Sequence, residues 1–179
     1  MPRLVLINGA PGSGKSTLAR SLTTHLPDAV LVDVDSIVRS LPEWSTDRPQ
    51  ATRVAREQAV DQIREHLATD HDVIVAHYIG RTPYIEELES DAGDLGAEFR
   101  ELVLLLPTET LAQRLIELRA GVRPGESPQH PDPGEAQRLA ATIHDLLIAR
   151  PRAERINATG TPDETFARVL SDLDSSDWE

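Results

Sequence analysis

The stretch NGAPGSGKST at residues 8–17 decides the fold of this chain. Gly9 is followed by Gly14, Lys15 and Ser16 at the spacing of the pattern G-x-x-x-x-G-K-[ST]. The apolar run RLVLING leads into it, and the helical pattern KSTLARSLTTHL follows it. A glycine-rich loop between a buried strand and a helix is typical of a phosphate-binding loop. The sequence therefore predicts a site for a nucleoside triphosphate.

The residue types of this loop predict its contacts. Backbone N–H groups would converge on phosphate oxygens, and Lys15 would contact the β- and γ-phosphates. The hydroxyl of Ser16 would bind Mg²⁺, so ATP and Mg²⁺ are the predicted cofactors. The predicted nucleotide-binding residues of the loop are Gly9, Ala10, Pro11, Gly12, Ser13, Gly14, Lys15, Ser16 and Thr17.

Strand-like and helix-like segments alternate along the rest of the chain. After the first strand, apolar runs at 29–35, 72–78, 99–107 and 155–159 predict four more strands, with helical periodicity between them. This alternation predicts an α/β three-layer sandwich with a five-stranded parallel sheet, formed by one domain over 1–179.

Proline and glycine are concentrated in one internal segment, GVRPGESPQHPDPGE, between two predicted helices. Such a composition does not favour a packed element, and the chain is short for two domains. The segment is therefore predicted to be a short active-site lid at about 119–135.

Composition narrows the classes of partner. The chain has 179 residues, no cysteine and a net charge of -12, with 30 acidic and 18 basic residues. Such a charge repels a nucleic-acid backbone, and two Phe, two Tyr and two Trp are few for stacking on bases. No apolar run reaches the about 20 residues that span a bilayer, and no cleavable signal pattern is present. We expect a cytoplasmic protein that does not bind membranes; the oligomeric state is left open.

Two acidic residues follow the second apolar run, in VDVDS. Ligands of a parallel sheet lie beyond the carboxyl ends of its strands, and residues two apart on a strand face the same side. Asp33 and Asp35 are therefore expected to face the phosphate loop, one binding Mg²⁺ and the other accepting a proton from an attacking hydroxyl. The alternative is that either residue caps the short helix SIVRSL.

Three arginines lead into the predicted lid: Arg114, Arg119 and Arg123. Guanidinium groups stabilise the negative charge of a phosphoryl group in transfer, and a lid that delivers them would exclude water. Alternatively, Arg114 and Arg119 belong to solvated helix faces and pair with Glu109 or Glu117.

Together these motifs make the chain resemble the small P-loop kinases of the nucleoside-monophosphate-kinase-like group, with a short lid. It is nearest to chloramphenicol phosphotransferase-like, shikimate-kinase-like and polynucleotide-kinase-like enzymes labelled AAA. The segment VDSIVRSLP is similar to that of chloramphenicol phosphotransferases, and the resemblance implies that Asp35 is the catalytic base. The Asp-x-Asp pair resembles that of shikimate kinases and implies that Asp33 lies near Mg²⁺.

The same resemblance assigns further residues. It implies that Arg114 packs on the adenine, and that Arg119 or Arg123 reaches the phosphates beside Lys15. In INATGTPDE, Gly160 and Thr161 would border the adenine. The third strand ends VAHYIGR, without the glycine triplet of shikimate kinases and without a terminal aspartate. The missing glycine triplet argues against shikimate as the acceptor.

The acceptor would lie near the loop that follows the third strand. Tyr78 and Arg81 of that loop, with Asp35 and Arg39, are the predicted substrate-binding residues. His77 is either part of this pocket or a buried histidine with satisfied hydrogen bonds. Arg53 and Arg56 lie on or near a segment that could form another wall of the pocket, but a solvated helix face is the favoured interpretation.

The sequence thus predicts an enzyme: an ATP- and Mg²⁺-dependent kinase that phosphorylates a hydroxyl of a small molecule, such as an antibiotic, nucleoside or metabolite. Two alternatives stay open. One is a kinase of 5′-hydroxyl polynucleotides, and the other is a nucleotide-dependent NTPase switch.

Overall fold

The computed structural model describes residues 1–120 and 134–175, in which five strands alternate with helices. The strands are β1 (Arg3–Gly9), β2 (Ala29–Asp33), β3 (Asp72–Ala76), β4 (Glu98–Leu105) and β5 (Glu154–Asn157). The helices are α1 (Lys15–His25), α2 (Val34–Ser40), α3 (Arg48–Ala68), α4 (Thr82–Asp94), α5 (Thr108–Ala120), α6 (Glu135–Ala149) and α7 (Pro162–Ser175). A short 3₁₀ turn, Pro42–Ser45, lies between α2 and α3.

The five strands form one parallel sheet in the order β2-β3-β1-β4-β5. Ile7 of β1 is aligned with Ala76 of β3 on one side and with Leu102 of β4 on the other. Because β1 lies between β3 and β4, the loops that follow these strands meet at the carboxyl edge of the sheet.

Both faces of the sheet are buried under helices. On β1, Leu4 and Leu6 face the core that α2, α3 and α4 cover, while Val5 and Ile7 face the core that α1 and α7 cover. A parallel strand buried on both faces is apolar at successive positions, as RLVLING is. The predicted three-layer α/β sandwich with a five-stranded parallel sheet is therefore confirmed.

One predicted boundary at the edge of the sheet is wrong. The second strand was expected to continue to Asp35, but β2 ends at Asp33 and α2 begins at Val34. The Asp33 carboxylate accepts a hydrogen bond from the backbone N–H of Ser36 at 3.1 Å, which makes Asp33 the N-cap of α2. Asp35 lies in the first turn of that helix, so the two carboxylates do not share a strand face.

Most of the predicted lid lies outside the described residues. Its first two residues end α5, and its last residue, Glu135, begins α6. Arg123 and the side chain of Arg119 belong to the part that is not described. Within 1–120 and 134–175, no helix combines the length and apolarity needed to cross a membrane.

Candidate active site

The phosphate loop joins β1 to α1 in a backbone conformation that glycine makes accessible. Gly12 has a φ of +81° and Gly14, the N-cap of α1, has a φ of +100°. These left-handed values turn the backbone around the start of the helix. Among the described residues no side chain caps α1, so the N–H groups of its first turn and its positive end are available to bind an anion.

Lys15 and Ser13 are buried polar side chains of this loop. The Lys15 ammonium donates a hydrogen bond to the carbonyl oxygen of Ala10 at 3.1 Å. Burial lowers the pKa of Lys15 to about 8, against the opposing effect of the Asp35 and Asp33 charges. The Ser13 hydroxyl has no hydrogen-bond partner among the described residues. A loop with a poorly solvated cation at the uncapped start of a helix fits the phosphates of a nucleotide.

A cavity of about 1250 Å³ extends from the phosphate loop to the loop after β3. Of the predicted nucleotide-binding residues, those that line it are Pro11, Gly12, Gly14, Lys15, Ser16 and Thr17. Ala10 and Ser13 instead line a second, more apolar cavity of about 320 Å³ between the loop, β4 and α6. Gly9 is the last residue of β1.

Asp35 is linked to His77 and Arg56 by hydrogen bonds across the wall of the large cavity. His77 Nδ1 lies 3.1 Å from Asp35 Oδ1, and Arg56 Nε donates to His77 Nε2 at 3.1 Å. Arginine is always a donor, so His77 Nε2 carries the lone pair and Nδ1 carries the proton. His77 therefore donates to Asp35 as a neutral imidazole.

The electrostatics of this pair agree with that tautomer. Burial lowers the pKa of His77, and the positive charges of Arg56 and Lys15 act in the same direction, opposed by the Asp35 hydrogen bond. Burial raises the pKa of Asp35, but the His77 hydrogen bond and the positive charges nearby more than offset it, so this pKa lies below its ordinary value. Asp35 is therefore ionised at neutral pH and able to accept a proton.

The predicted Mg²⁺ ligands differ in their surroundings. Ser16 lines the large cavity at the start of α1, and its hydroxyl is a hard oxygen donor of the kind that Mg²⁺ prefers. Asp33 is not among the lining residues, although it acts electrostatically on Lys15. One Asp33 oxygen caps α2, so a second oxygen is left for a metal-bound water. These two residues fit a hydrated Mg²⁺ whose remaining ligands are phosphates and water.

Arg114 connects the phosphate loop to the loop after β5. Its guanidinium donates to the carbonyl oxygens of Gly12 at 3.3 Å, Ser13 at 3.5 Å and Ala158 at 3.5 Å. The alternative of a solvated helix face does not describe this half-buried side chain. Its place beside the two loops is compatible with the adenine contact that the resemblance implies.

The predicted adenine-binding residues Gly160 and Thr161 lie in the loop after β5. Gly160 has a φ of +109°, and a side chain there would collide with Glu164 Oε2. Thr161 N–H donates to Glu164 Oε2 at 2.9 Å, while Glu164 N–H donates to Thr161 Oγ1 at 3.2 Å. This reciprocal capping box starts α7. Both predicted residues therefore hold the shape of the loop, and both are exposed.

The predicted acceptor residues Asp35, Arg39, Tyr78 and Arg81 all line the large cavity. Tyr78 is hydrogen-bonded to Thr142 of α6, and burial raises the pKa of Tyr78. Arg39 donates to Ser36 Oγ at 3.2 Å. The structure therefore brings these four residues, from α2 and the loop after β3, to one cavity.

Arg56 is a lining residue of the large cavity for which the favoured interpretation from the sequence is wrong. Arg56 was assigned to a solvated face, but its guanidinium lies over the Tyr84 ring and contacts His77. Arg53, one turn away, is exposed and pairs with Glu57 at 2.6 Å, as expected. Arg56 directly follows Ala55 of the buried stripe, whereas Arg53 lies two positions from both Ala51 and Ala55, on the far side of the helix. This difference in spacing was the available signal.

Asn8 is another residue whose role the sequence did not reveal. Its fully buried amide accepts from the Ile79 N–H at 2.9 Å and donates to the Ile79 carbonyl at 3.0 Å. The same oxygen accepts from Gly9 N–H at 2.7 Å. Asn8 thereby fixes the loop that carries His77 and Tyr78 against the start of the phosphate loop. Its position directly before Gly9 was the available signal.

Comparisons with known proteins agree with this architecture. A family model described as an AAA domain matches residues 4–132. A gluconokinase from Sinorhizobium meliloti is similar in structure, with a TM-score of 0.63, 20% identity, and coverage of 99% of this chain and 98% of that one. The tunicamycin resistance protein of Deinococcus radiodurans has a TM-score of 0.69 at 17% identity, covering 97% and 96% of the two chains. A shikimate kinase from Aquifex aeolicus has a TM-score of 0.67 at 16% identity, covering 96% of each. The predicted resemblance to small P-loop kinases is confirmed at the level of the fold.

Proposed function

Because this chain belongs to the AAA domain family and has the fold of small P-loop kinases, we propose that it is an ATP- and Mg²⁺-dependent kinase that phosphorylates a hydroxyl group of a small molecule. The observation that carries the proposal is the ionised Asp35, held by neutral His77 in the cavity that also contains Lys15. A carboxylate in this position is a general base for a hydroxyl that approaches the γ-phosphate.

The proposed transfer assigns one task to each described side chain. Asp35 accepts the proton as the acceptor oxygen forms its bond to the γ-phosphorus, and the bond from that phosphorus to the bridging oxygen breaks to leave ADP. Lys15 stabilises the negative charge on the phosphate oxygens. His77 keeps the Asp35 carboxylate oriented towards the cavity. Mg²⁺, held by Ser16 and through water by Asp33, would neutralise charge on the phosphates.

The size of the cavity is compatible with a small acceptor. About 1250 Å³ lies between the phosphate loop and the walls formed by α2, α3, α4 and α6. Ligand pockets of roughly 300–1,000 Å³ bury most of a small organic molecule. This space is compatible with a nucleotide phosphate group and one small acceptor in contact.

The test is ADP release from ATP and Mg²⁺ in the presence of a panel of hydroxyl compounds. The panel includes sugars and sugar acids, nucleosides, aminoglycosides, chloramphenicol and a 5′-hydroxyl oligonucleotide. Stimulation by a small molecule supports the proposal. Stimulation by the oligonucleotide alone would indicate a polynucleotide kinase, and slow hydrolysis that no hydroxyl compound stimulates would indicate an NTPase switch.

Asp35→Asn provides the matched variant for this test. We expect it to reduce turnover by about 10²- to 10⁴-fold, the usual contribution of a general base, with ATP affinity close to that of the unsubstituted protein. Normal turnover by this variant would show that Asp35 is not the base.

A further inference from the structure

The acceptor end of the large cavity carries an excess of positive charge. Its cationic lining residues, other than Lys15 of the phosphate loop, are Arg39, Arg48, Arg56 and Arg81. Within 1–120 and 134–175, the acidic lining residues are Asp35 and Glu87. This local excess contrasts with the net charge of -12 over the whole chain, so composition does not account for it. A concave site with clustered arginines attracts anions.

Two of these guanidinium groups are held against aromatic rings. Arg56 Cζ lies 4.8 Å from the centre of the Tyr84 ring, and Arg48 Cζ lies 4.6 Å from the centre of the Trp44 ring. Stacking on a ring orients the guanidinium plane and leaves the N–H groups at its edge available. Such a preorganised fork matches the paired oxygens of a carboxylate or a phosphate.

Hydrogen bonds through His77 also fix the position of Arg56 relative to Asp35, the proposed base. Its Nε donates to one nitrogen of His77, whose other nitrogen donates to Asp35. Its terminal amino groups make no hydrogen bond to residues in the described part of the chain. Asp35 and Arg56 both line the cavity and are separated by one imidazole ring.

We propose that the acceptor carries an oxyanion close to the hydroxyl that is phosphorylated, and that Arg56 binds this oxyanion together with Arg81. This inference rests on the proposed kinase function and deepens it. A carboxylate and a phosphate monoester present the same oxygens to a guanidinium, so both are oxyanions of the proposed class.

The experiment measures acceptor binding apart from turnover. A non-hydrolysable ATP analogue and Mg²⁺ first occupy the phosphate loop, and the fluorescence of Trp44 reports binding in the Trp178→Phe background, since the chain has two tryptophans. The probes compare one scaffold in three states: glycerate, glycerol 3-phosphate and glycerol. Gluconate, glucose 6-phosphate and glucose repeat the comparison on a larger scaffold.

We expect the carboxylate or the phosphate form of a scaffold to bind at least about tenfold more tightly than its neutral form, since it gains charge-assisted hydrogen bonds. The preferred form identifies which oxyanion the site takes. Arg56→Gln is expected to weaken anion binding by about ten- to a hundredfold. Arg81→Gln is a second variant that removes a positive charge from the cavity. Because Arg81 is exposed, the new glutamine is not buried.

Arg53→Gln is the matched control, because Arg53 is on the same helix as Arg56 but pairs with Glu57 outside the cavity. Its anion affinity should equal that of the unsubstituted protein. Neutral scaffolds that bind as tightly as their anions, an absence of saturable anion binding, or unchanged anion affinity in Arg56→Gln and Arg81→Gln would each overturn the inference. ADP release separates the two proposals: turnover with neutral acceptors alone contradicts the oxyanion, whereas anion binding without any turnover contradicts the kinase.

Discussion

The imidazole of His77 is 5% exposed and lies 3.1 Å from the carboxylate of Asp35, with its Nδ1–H directed to Oδ1. The two residues are 42 positions apart in the sequence: Asp35 lies in the first turn of α2, just after β2, and His77 directly follows the neighbouring strand β3. His77 is a positioning residue in the proposed reaction, because it acts on the acceptor only through Asp35.

The first prediction concerns this hydrogen bond. His77→Leu removes the donor, and we expect the kcat of phosphate transfer to fall by about ten- to a hundredfold, the usual effect of losing a hydrogen bond to a charged group. His77→Asn retains an N–H near the position of Nδ1 and should recover part of that loss. The affinity for an ATP analogue should be equal in both variants. Equal losses of kcat in the two variants would indicate that His77 only fills space.

The second prediction separates two roles of Asp33. Asparagine is as good an N-cap as aspartate, so Asp33→Asn should keep the thermal stability, whereas Asp33→Ala should lose about 0.5–2 kcal/mol. If Asp33 also holds a Mg²⁺-bound water, both variants should need about tenfold or more Mg²⁺ for half-maximal ADP release.

Asp47→Asn is the control for Asp33, because Asp47 caps α3 with the same geometry, accepting from Gln50 N–H at 3.1 Å. It should change neither stability nor the Mg²⁺ requirement. A Mg²⁺ requirement that is unchanged in Asp33→Asn would restrict Asp33 to its capping role.

The phosphate loop was predictable from the sequence because its chemistry depends on a fixed local spacing. Gly9, Gly14 and Lys15 lie within seven positions, and the flanking apolar run identifies β1. The parallel sheet was predictable for the same reason, since alternating strand and helix patterns are local signals. The carboxyl end of β2 was not predictable in this way. The Asp33 carboxylate accepts a hydrogen bond from Ser36 N–H, which starts α2 at Val34 and ends the strand.

The acceptor side depends on pairs that are distant in the sequence. Arg56 and His77 are 21 positions apart, and helical periodicity places Ala55 and Ala59 in the core without showing what Arg56 contacts. The position of Asp35 relative to Lys15 could be inferred, because both follow strands at one edge of the sheet. The tautomer of His77 required the position of Arg56, which a single sequence does not contain.

The third prediction concerns nucleotide binding. Arg114→Met removes the guanidinium that bonds to the carbonyl oxygens of Gly12, Ser13 and Ala158. We expect the affinity for an ATP analogue to fall by about tenfold or more, because the two loops lose charge-assisted hydrogen bonds. Acceptor binding at the far end of the cavity should not change. Calorimetric titration of the analogue measures the effect.

The control for Arg114 is its neighbour Gln113, whose amide bonds to Glu117 at 3.0 Å on the exposed face of α5. Gln113→Met should bind the analogue normally. If Arg114→Met also binds normally, Arg114 only packs against the loop and does not support the nucleotide.

The last prediction is a pH dependence of folding that originates at residues that do not line the large cavity. Glu101 of β4 is 5% exposed, and its Oε1 has no hydrogen-bond partner within 1–120 and 134–175. Its Oε2 accepts from Arg150 Nε at 2.9 Å, and the same guanidinium pairs with Glu89 of α4 at 2.7 Å. Burial raises the pKa of Glu101, and the charge of Glu89 adds to this, against the opposing effect of Arg150.

An acid whose pKa is raised by folding stabilises the folded state most when it is protonated. Below the ordinary pKa of about 4.3, Glu101 therefore makes its full contribution, which is lost as the pH rises through the raised value. Glu101→Gln is neutral at every pH and lacks this loss. We expect the free energy of unfolding of the Gln variant, relative to the unsubstituted protein, to increase from about pH 4 to about pH 7. Urea denaturation of both proteins across this range measures the difference, and a constant difference would show that folding leaves the pKa of Glu101 unchanged.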